Sequence, residues 1–262
     1  MVGWRGGGVP TFGFRSVKIP AMLERMLDKQ GEVFRFLASR LTLAAVVWLA
    51  VGLGLSAAVI WAFFGITEEV LEGETQSFDE SVLLWIDAHF PAWLDGAMRF
   101  FTSIGYYRVV APLLAAAAAF FLWRGWRFSA VILAVSTLGG MLLTTILKAV
   151  FQRERPDLIA TGYDAGFFSF PSGHATMAVG FYGALTLILA YHSRGFPRWL
   201  IVGLGCATVL LIGLSRMYLG VHYPTDIIAG YLAAPLWLVF IGSLHFIWLS
   251  IRGLKSEPMV GS

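Results

Sequence analysis

Charge is the scarcest commodity in this chain. Asp, Glu, Lys and Arg make up only 13% of 262 residues, whereas a soluble domain carries about 25%. That deficit excludes an ordinary water-soluble globule. Cysteine is almost missing as well: Cys206 stands alone inside an apolar run, so no intrachain disulfide can form and cysteine gives no guide to redox compartment. There is no internal repeat and no low-complexity linker. An aromatic-basic module of the kind that reads nucleic acid is also lacking. The net charge of +3 is therefore read as loop charge that orients a membrane chain and touches anionic lipid, with no nucleic-acid partner. No cleavable leader is read, because the first apolar run is too long and no small-residue cleavage site follows it.

What fills the chain is apolar: 58% of residues are hydrophobic. They come in runs long enough to cross a bilayer, which takes about 20 residues per helix. The expected fold is all-α, a polytopic membrane protein with six spans near 43–64, 106–123, 128–150, 172–191, 200–214 and 226–251. The fifth is short. Residues 1–41 form an N-terminal extension, 42–251 the membrane domain and 252–262 a tail. Within the extension, 19–40 reads either as an amphipathic surface helix or as a partly ordered tail. Between the first two spans, 77–101 repeats apolar residues at helical spacing with Asp79, Asp87 and Asp95 interleaved. It is expected to form one or two interfacial helices, acting as a cap or as a gate.

Loop charge supplies a topology. The N-terminal tail, the turns holding Arg124, Arg127, Arg194 and Arg198, and the C-terminal tail are basic, while 67–105 is acidic. Positive loops favour the cytoplasm, so both termini are expected there. Lys148, Arg153, Arg155 and Arg216 then lie on the opposite side, against the orienting bias.

Charged groups at a hydrocarbon boundary are expensive and point to function. Three segments carry them. In the third, His222 and Asp226 are four residues apart and would share a helix face. A carboxylate there accepts the proton of one imidazole nitrogen and leaves the other free to attack. Pro224 suits the first turn of a helix, and Arg216 offers a planar fork for phosphate oxygens. The second segment, Pro171-Ser172-Gly173-His174, reads as a helix start. Its backbone N–H groups and the Ser172 hydroxyl form an anion site, Gly173 lets an oxyanion approach the backbone, and His174 can protonate a leaving oxygen. Taken alone, each is also what a capped helix or a structural His–Asp hydrogen bond would look like. In the first segment, Lys148 and Arg153 are placed as snorkelling side chains would be. Together, though, Lys148, Arg155 and Arg216 can neutralise a phosphoryl group. Spacing alone leaves open which histidine attacks. His89, His192 and His245 read as incidental, and Asp157 and Asp164 as solvated loop acids. Phe167, Phe168 and Phe170 suit a lipid-tail entrance or simple interfacial anchoring.

Lys148-x6-Arg155-Pro156, Pro171-Ser172-Gly173-His174 and Ser215-Arg216-x5-His222-x3-Asp226 together resemble the three-part motif of the type 2 phosphatidic acid phosphatase superfamily. The resemblance implies a lipid phosphatase in which His222 is the nucleophile and forms a phosphohistidine. Asp226 would orient it, and His174 would be the general acid. Lys148, Arg155, Ser172, Gly173 and Arg216 would bind the phosphate. It further implies no metal or other cofactor. The expected partners are a lipid phosphate or pyrophosphate and membrane lipids, with no obligate protein partner. The expected location is the outer face of a cytoplasmic membrane. Undecaprenyl pyrophosphate, phosphatidylglycerol phosphate and phosphatidic acid are the implied substrate types. Two rivals stand beside this: a phosphotransferase passing the group to a lipid or sugar, and a non-enzymatic lipid-phosphate binder or transporter.

Overall fold

The computed structural model describes residues 43–159, 161–163 and 165–238. These fall almost entirely in one compact unit, Val51–Pro258. The N-terminal amphipathic stretch, the second half of the sixth span, the tail, Asp164 and His245 lie outside the described residues. All described secondary structure is helical.

Helix α1 is Leu43–Glu72, longer than the expected first span. Helix α2 is Gln76–His89; a single 3-10 turn, Ala92–Leu94, leads into α3, Asp95–Ile104. Helix α4 is Tyr107–Trp123, α5 is Arg127–Phe151, α6 is Gly173–His192 and α7 is Arg198–Tyr218. Helix α8 covers 224–238. Among the described residues four helices are long and apolar enough to cross a membrane, and the pair Ala92–Ile104 and Tyr107–Trp123, bent by 55°, makes up to five.

The fifth span differs from expectation in an instructive way. Hydropathy ends it near 214 and leaves Ser215 and Arg216 beyond. The helix instead continues through both to Tyr218, because Arg216 is buried and bonded to Thr102 of α3. A buried, partnered cation need not terminate a helix. The third segment is also corrected. His222 lies in the turn before α8, so it meets Asp226 from outside the helix and not along a helix face.

Packing follows small residues and aromatic plugs. Val110 and Leu114 of α4, Leu133 of α5 and Phe181 and Ile188 of α6 form one buried cluster. Phe63 of α1, Phe170, and Ala229 and Ala233 of α8 form another. A Cβ on Gly139 would fall 1.6 Å from the Trp237 indole nitrogen, so α8 rests directly on the backbone of α5. Close approach through small residues is the usual way spanning helices pack. Ala178–Gly183 of α6 is π-helical. Widening of this kind frees carbonyls, and Thr137 donates to that of Gly180 at 3.3 Å. Outward faces stay apolar: Leu53, Leu55, Trp61, Phe64 and Leu142 are all exposed, as lipid-facing helices require.

Candidate active site

Four helix ends, those of α5, α6, α7 and α8, meet at the segment that follows α5. Helix α5 ends with Gln152 in the left-handed region (φ 48°), which turns the chain into an irregular segment running to Pro171. Lys148 of the last turn of α5 donates to the carbonyls of Phe168 and Ser169. Arg155 gathers the same segment: its Nε donates to Phe167 O at 2.8 Å, and its terminal nitrogens donate to Gly166 O at 3.1 Å and Phe168 O at 3.2 Å. Phe167 is held at φ 73°, an unusual conformation for a bulky residue, of the kind found where surroundings enforce it.

Ser172 caps α6. Its hydroxyl accepts the Ala175 N–H at 3.5 Å, and its own N–H donates to Asp226 O at 2.9 Å. This ties the start of α6 to that of α8. Gly230 is what allows the approach, since a Cβ there would meet Ser172 O at 2.6 Å.

The start of α8 explains the His222–Asp226 geometry. Pro224 takes the first helical position, which suits its missing N–H. Asp226 takes the third, from which an acidic side chain reaches back to the N-cap. Its Oδ2 accepts the Tyr223 N–H at 2.9 Å and faces His222 Nδ1 at 3.2 Å. A proton on Nδ1 leaves Nε2 with a lone pair, and there Arg155 approaches at 3.2 Å. Burial pushes the His222 imidazole well below its usual pKa, aided by the charges of Arg216, Arg155 and Lys148. Water-poor surroundings disfavour the charged ring.

Both histidines and all three expected cations line one cavity of about 280 Å³: Lys148, Arg155, His174, Arg216 and His222, with Gly173, Tyr106 and Tyr163. Arg216 donates to Thr102 Oγ1 and lies 5.2 Å above the Tyr163 ring, while its Nε is buried without a partner. His174 stacks on Tyr106 at 5.8 Å, and its Nε2 is likewise buried without a partner. Neither Lys148 nor Arg216 forms an ion pair among the described residues. Asp226 and Ser172 are fully buried and do not line the cavity; Asp226 reaches it through His222, and Ser172 directly precedes Gly173. A second cavity of about 500 Å³ shares Arg155, Tyr163 and Ala165 with the first.

Arg153, flagged in the sequence only as a cation against the orienting bias, and Asp79, given no site role there, both belong to this neighbourhood. Arg153 reaches Asp226 Oδ1 at 2.8 Å and Asp79 Oδ2 at 2.7 Å. Thr102 and Tyr163 were also missed. Asp79 had one available signal, its position on the same helical stripe as the apolar residues Leu83 and Ile86. His192, read as incidental, stacks on Trp126 at 3.6 Å, away from this site.

One buried and two half-buried cations, two imidazoles and a buried carboxylate thus gather around one cavity in an apolar helical bundle. Residues 129–250 match the PAP2 superfamily, and the chain belongs to that family. It is 31% identical to phosphatidylglycerophosphatase B of Bacillus subtilis, over 60% of this chain and 77% of that one. It is also 31% identical to an undecaprenyl-diphosphatase of Sulfolobus acidocaldarius, over 57% and 69%. The crystal structure of a transmembrane PAP2-type phosphatidylglycerolphosphate phosphatase from Bacillus subtilis superposes with a TM-score of 0.64 at 25% identity. That match covers 78% of this chain and 98% of the other. These relatives are phosphatases, hydrolases of phosphate esters and diphosphates.

Proposed function

We propose that the chain is an integral-membrane phosphatase that cleaves a lipid phosphate or diphosphate through a phosphohistidine on His222. One observation carries this reading. The cavity holding both histidines and Lys148, Arg155 and Arg216 contains two buried polar atoms, His174 Nε2 and Arg216 Nε, with no hydrogen-bond partner. Leaving such atoms unpaired costs about 1–3 kcal/mol each. A bound phosphoryl group would offer acceptor oxygens to both.

The lone pair on His222 Nε2 attacks phosphorus. A P–N bond forms as the bond from phosphorus to the lipid oxygen breaks, and that oxygen takes a proton from His174. Water then attacks the phosphohistidine while His174 accepts its proton. The P–N bond breaks, its electrons return to Nε2, and inorganic phosphate leaves. Asp226 keeps the Nδ1 proton in place throughout. Lys148, Arg155 and Arg216, with Ser172 and the Gly173 backbone, stabilise the charge on the phosphoryl oxygens. No metal is assigned a role.

The finer architecture follows the loop charges. The membrane domain, 42–251, has six spans, the last of them opening with α8, and α2 and α3 lie along the outer interface. The extension 1–41 and the tail 252–262 are cytoplasmic, and the site opens at the outer face of the cytoplasmic membrane. A lipid would keep its tail in the bilayer while its head enters the cavity. An undecaprenyl-type diphosphate is the first substrate choice, supported by the archaeal relative's name and by the adjoining 500 Å³ cavity, which has room for a second phosphoryl group. Phosphatidylglycerol phosphate is next, from the Bacillus relatives. The test is phosphate release from a panel of lipid phosphates by purified protein, without an added acceptor and with the His222→Ala variant alongside. Release by the wild type alone supports the reading; equal release by both, or by neither, sinks it.

A further inference from the structure

Asp79 looks from sequence like one of many acids in an exposed loop. It is instead fully buried, and a buried carboxylate is tolerated only when it is paired and hydrogen-bonded. Its Oδ1 accepts the Thr225 N–H at 3.1 Å. Its Oδ2 accepts from Thr225 Oγ1 at 2.6 Å and from Arg153 at 2.7 Å. The other arm of the Arg153 fork donates to Asp226 Oδ1 and to Thr225 Oγ1, each at 2.8 Å. The guanidinium lies 4.3 Å from the Tyr223 ring centroid. One arginine thus joins two carboxylates drawn from α2 and α8, a planar geometry that lysine cannot reproduce.

We infer that Asp79 and Arg153 are positioning residues that lock the Asp226 carboxylate, and through it the His222 ring, for attack on phosphorus. This rests on the proposed reaction and extends it to α2. Both oxygens of Asp226 are committed: Oδ1 to Arg153, Oδ2 to Tyr223 N–H and His222 Nδ1. The carboxylate has no freedom to turn away from the imidazole. Arg153 is not among the side chains lining the catalytic cavity, and its fork is already filled by carboxylates and a hydroxyl, so it is not a phosphate ligand. The relay also sets local charge. Asp79, Arg153 and Asp226 together carry one net negative charge on the Nδ1 side of the ring. The ring's other charged or titratable neighbours are Arg155, Arg216, Lys148 and His174. That single negative charge favours the positive ring that forms as Nε2 bonds to phosphorus.

The test compares Asp79→Asn, Arg153→Gln, Arg153→Lys and the Asp79→Asn/Arg153→Gln double variant in full-length detergent-purified protein. Asp87→Asn, an exposed change on the same helix, is the control. A misplacement of about 1 Å costs on the order of 100-fold in rate. Each relay variant should lose kcat on that scale, with KM within about twofold of wild type. The acid limb of kcat/KM supplies a readout that loss of packing would not move in opposite directions. Asp79→Asn removes a negative charge and should shift the limb to lower pH. Arg153→Gln removes a positive charge and should shift it to higher pH, and the double variant should return it toward wild type. Equal shifts in one direction, an unmoved limb, or wild-type kcat in Asp79→Asn overturns the relay. If Asp79→Asn does not fold, Arg153→Lys decides: full kcat there overturns the inference, and a selective loss of kcat upholds it. Failure of the wild type to hydrolyse any lipid phosphate would sink the proposed reaction instead, which keeps the two outcomes distinct.

Discussion

As the proposed nucleophile, His222 would attack only as a neutral ring, and its surroundings determine the pH at which that form persists. Burial and the charges of Arg216, Arg155 and Lys148 hold its pKa well below the usual value, near 6.5 for an unperturbed histidine. The sign follows directly. Below its pKa the ring is protonated and Nε2 has no lone pair, so a lowered pKa extends the active range toward acid. The kcat/KM of the wild type should therefore hold as pH falls through about 6.5 and decline only at more acid values. A pH–rate profile checks this, and an acid limb at or above the ordinary histidine range would refute it. Asp226→Asn tests the orienting role. An amide can present its N–H to Nδ1 and favour the wrong tautomer, a change worth on the order of 10⁴ in kcat in the serine-protease triad. A comparable loss is expected here, measured as single-turnover phosphate release. Residues of this kind were legible because each motif is short and its members act within a few positions of one another. Arg153 stood out only as a cation against the orienting bias, and its pairing with Asp79 was not legible, since they meet across 74 positions and an acid between spans looks solvated until its helix is seated. Thr102 was hidden in the same way, 114 positions from Arg216.

At the scale of elements, the site depends on how closely helices approach. Four of the expected spans, and up to five with the bent pair, were readable from hydropathy among the described residues, because a bilayer demands long apolar runs. Their ends were less readable: α7 runs past the expected end through Arg216, and α1 runs on to Glu72. For α7 a tertiary bond from Arg216 to Thr102 accompanies the extension, and a window of composition does not register it. Glycine contacts were invisible for the same reason, since nothing in Gly139 announces that Trp237 will lie on it. A methyl added there would fall 1.6 Å from the indole nitrogen, and the indole is itself fixed by its bond to Val135 O at 2.9 Å. Overpacking of this sort costs about 1–3 kcal/mol. Gly139→Ala should lower the unfolding temperature in detergent, and combining it with Trp237→Leu should recover part of the loss. No recovery in the double variant would show that the contact is not the cause. Gly230→Ala presses on Ser172 O at the active site, so it should reduce turnover as well as stability.

At the scale of the whole molecule, the proposed topology makes a claim that single positions can test. The acidic stretch between α1 and α4 and the catalytic cavity belong to one side of the membrane, and the basic turn between α6 and α7 to the other. Charge asymmetry supports this orientation through the excess of Lys and Arg in cytoplasmic loops. The lone Cys206 is easily replaced, which leaves a cysteine-free background for labelling. Gly96 of α3 and Gly195 of the α6–α7 turn each have open space where a Cβ would project, so a cysteine at either site should fit without disturbing the fold. In intact cells, Gly96→Cys should react with a membrane-impermeant maleimide and Gly195→Cys should not; after permeabilisation both should react. The reverse pattern would invert the topology and move the cavity to the cytoplasmic side, where a substrate delivered from the outer leaflet could not reach His222.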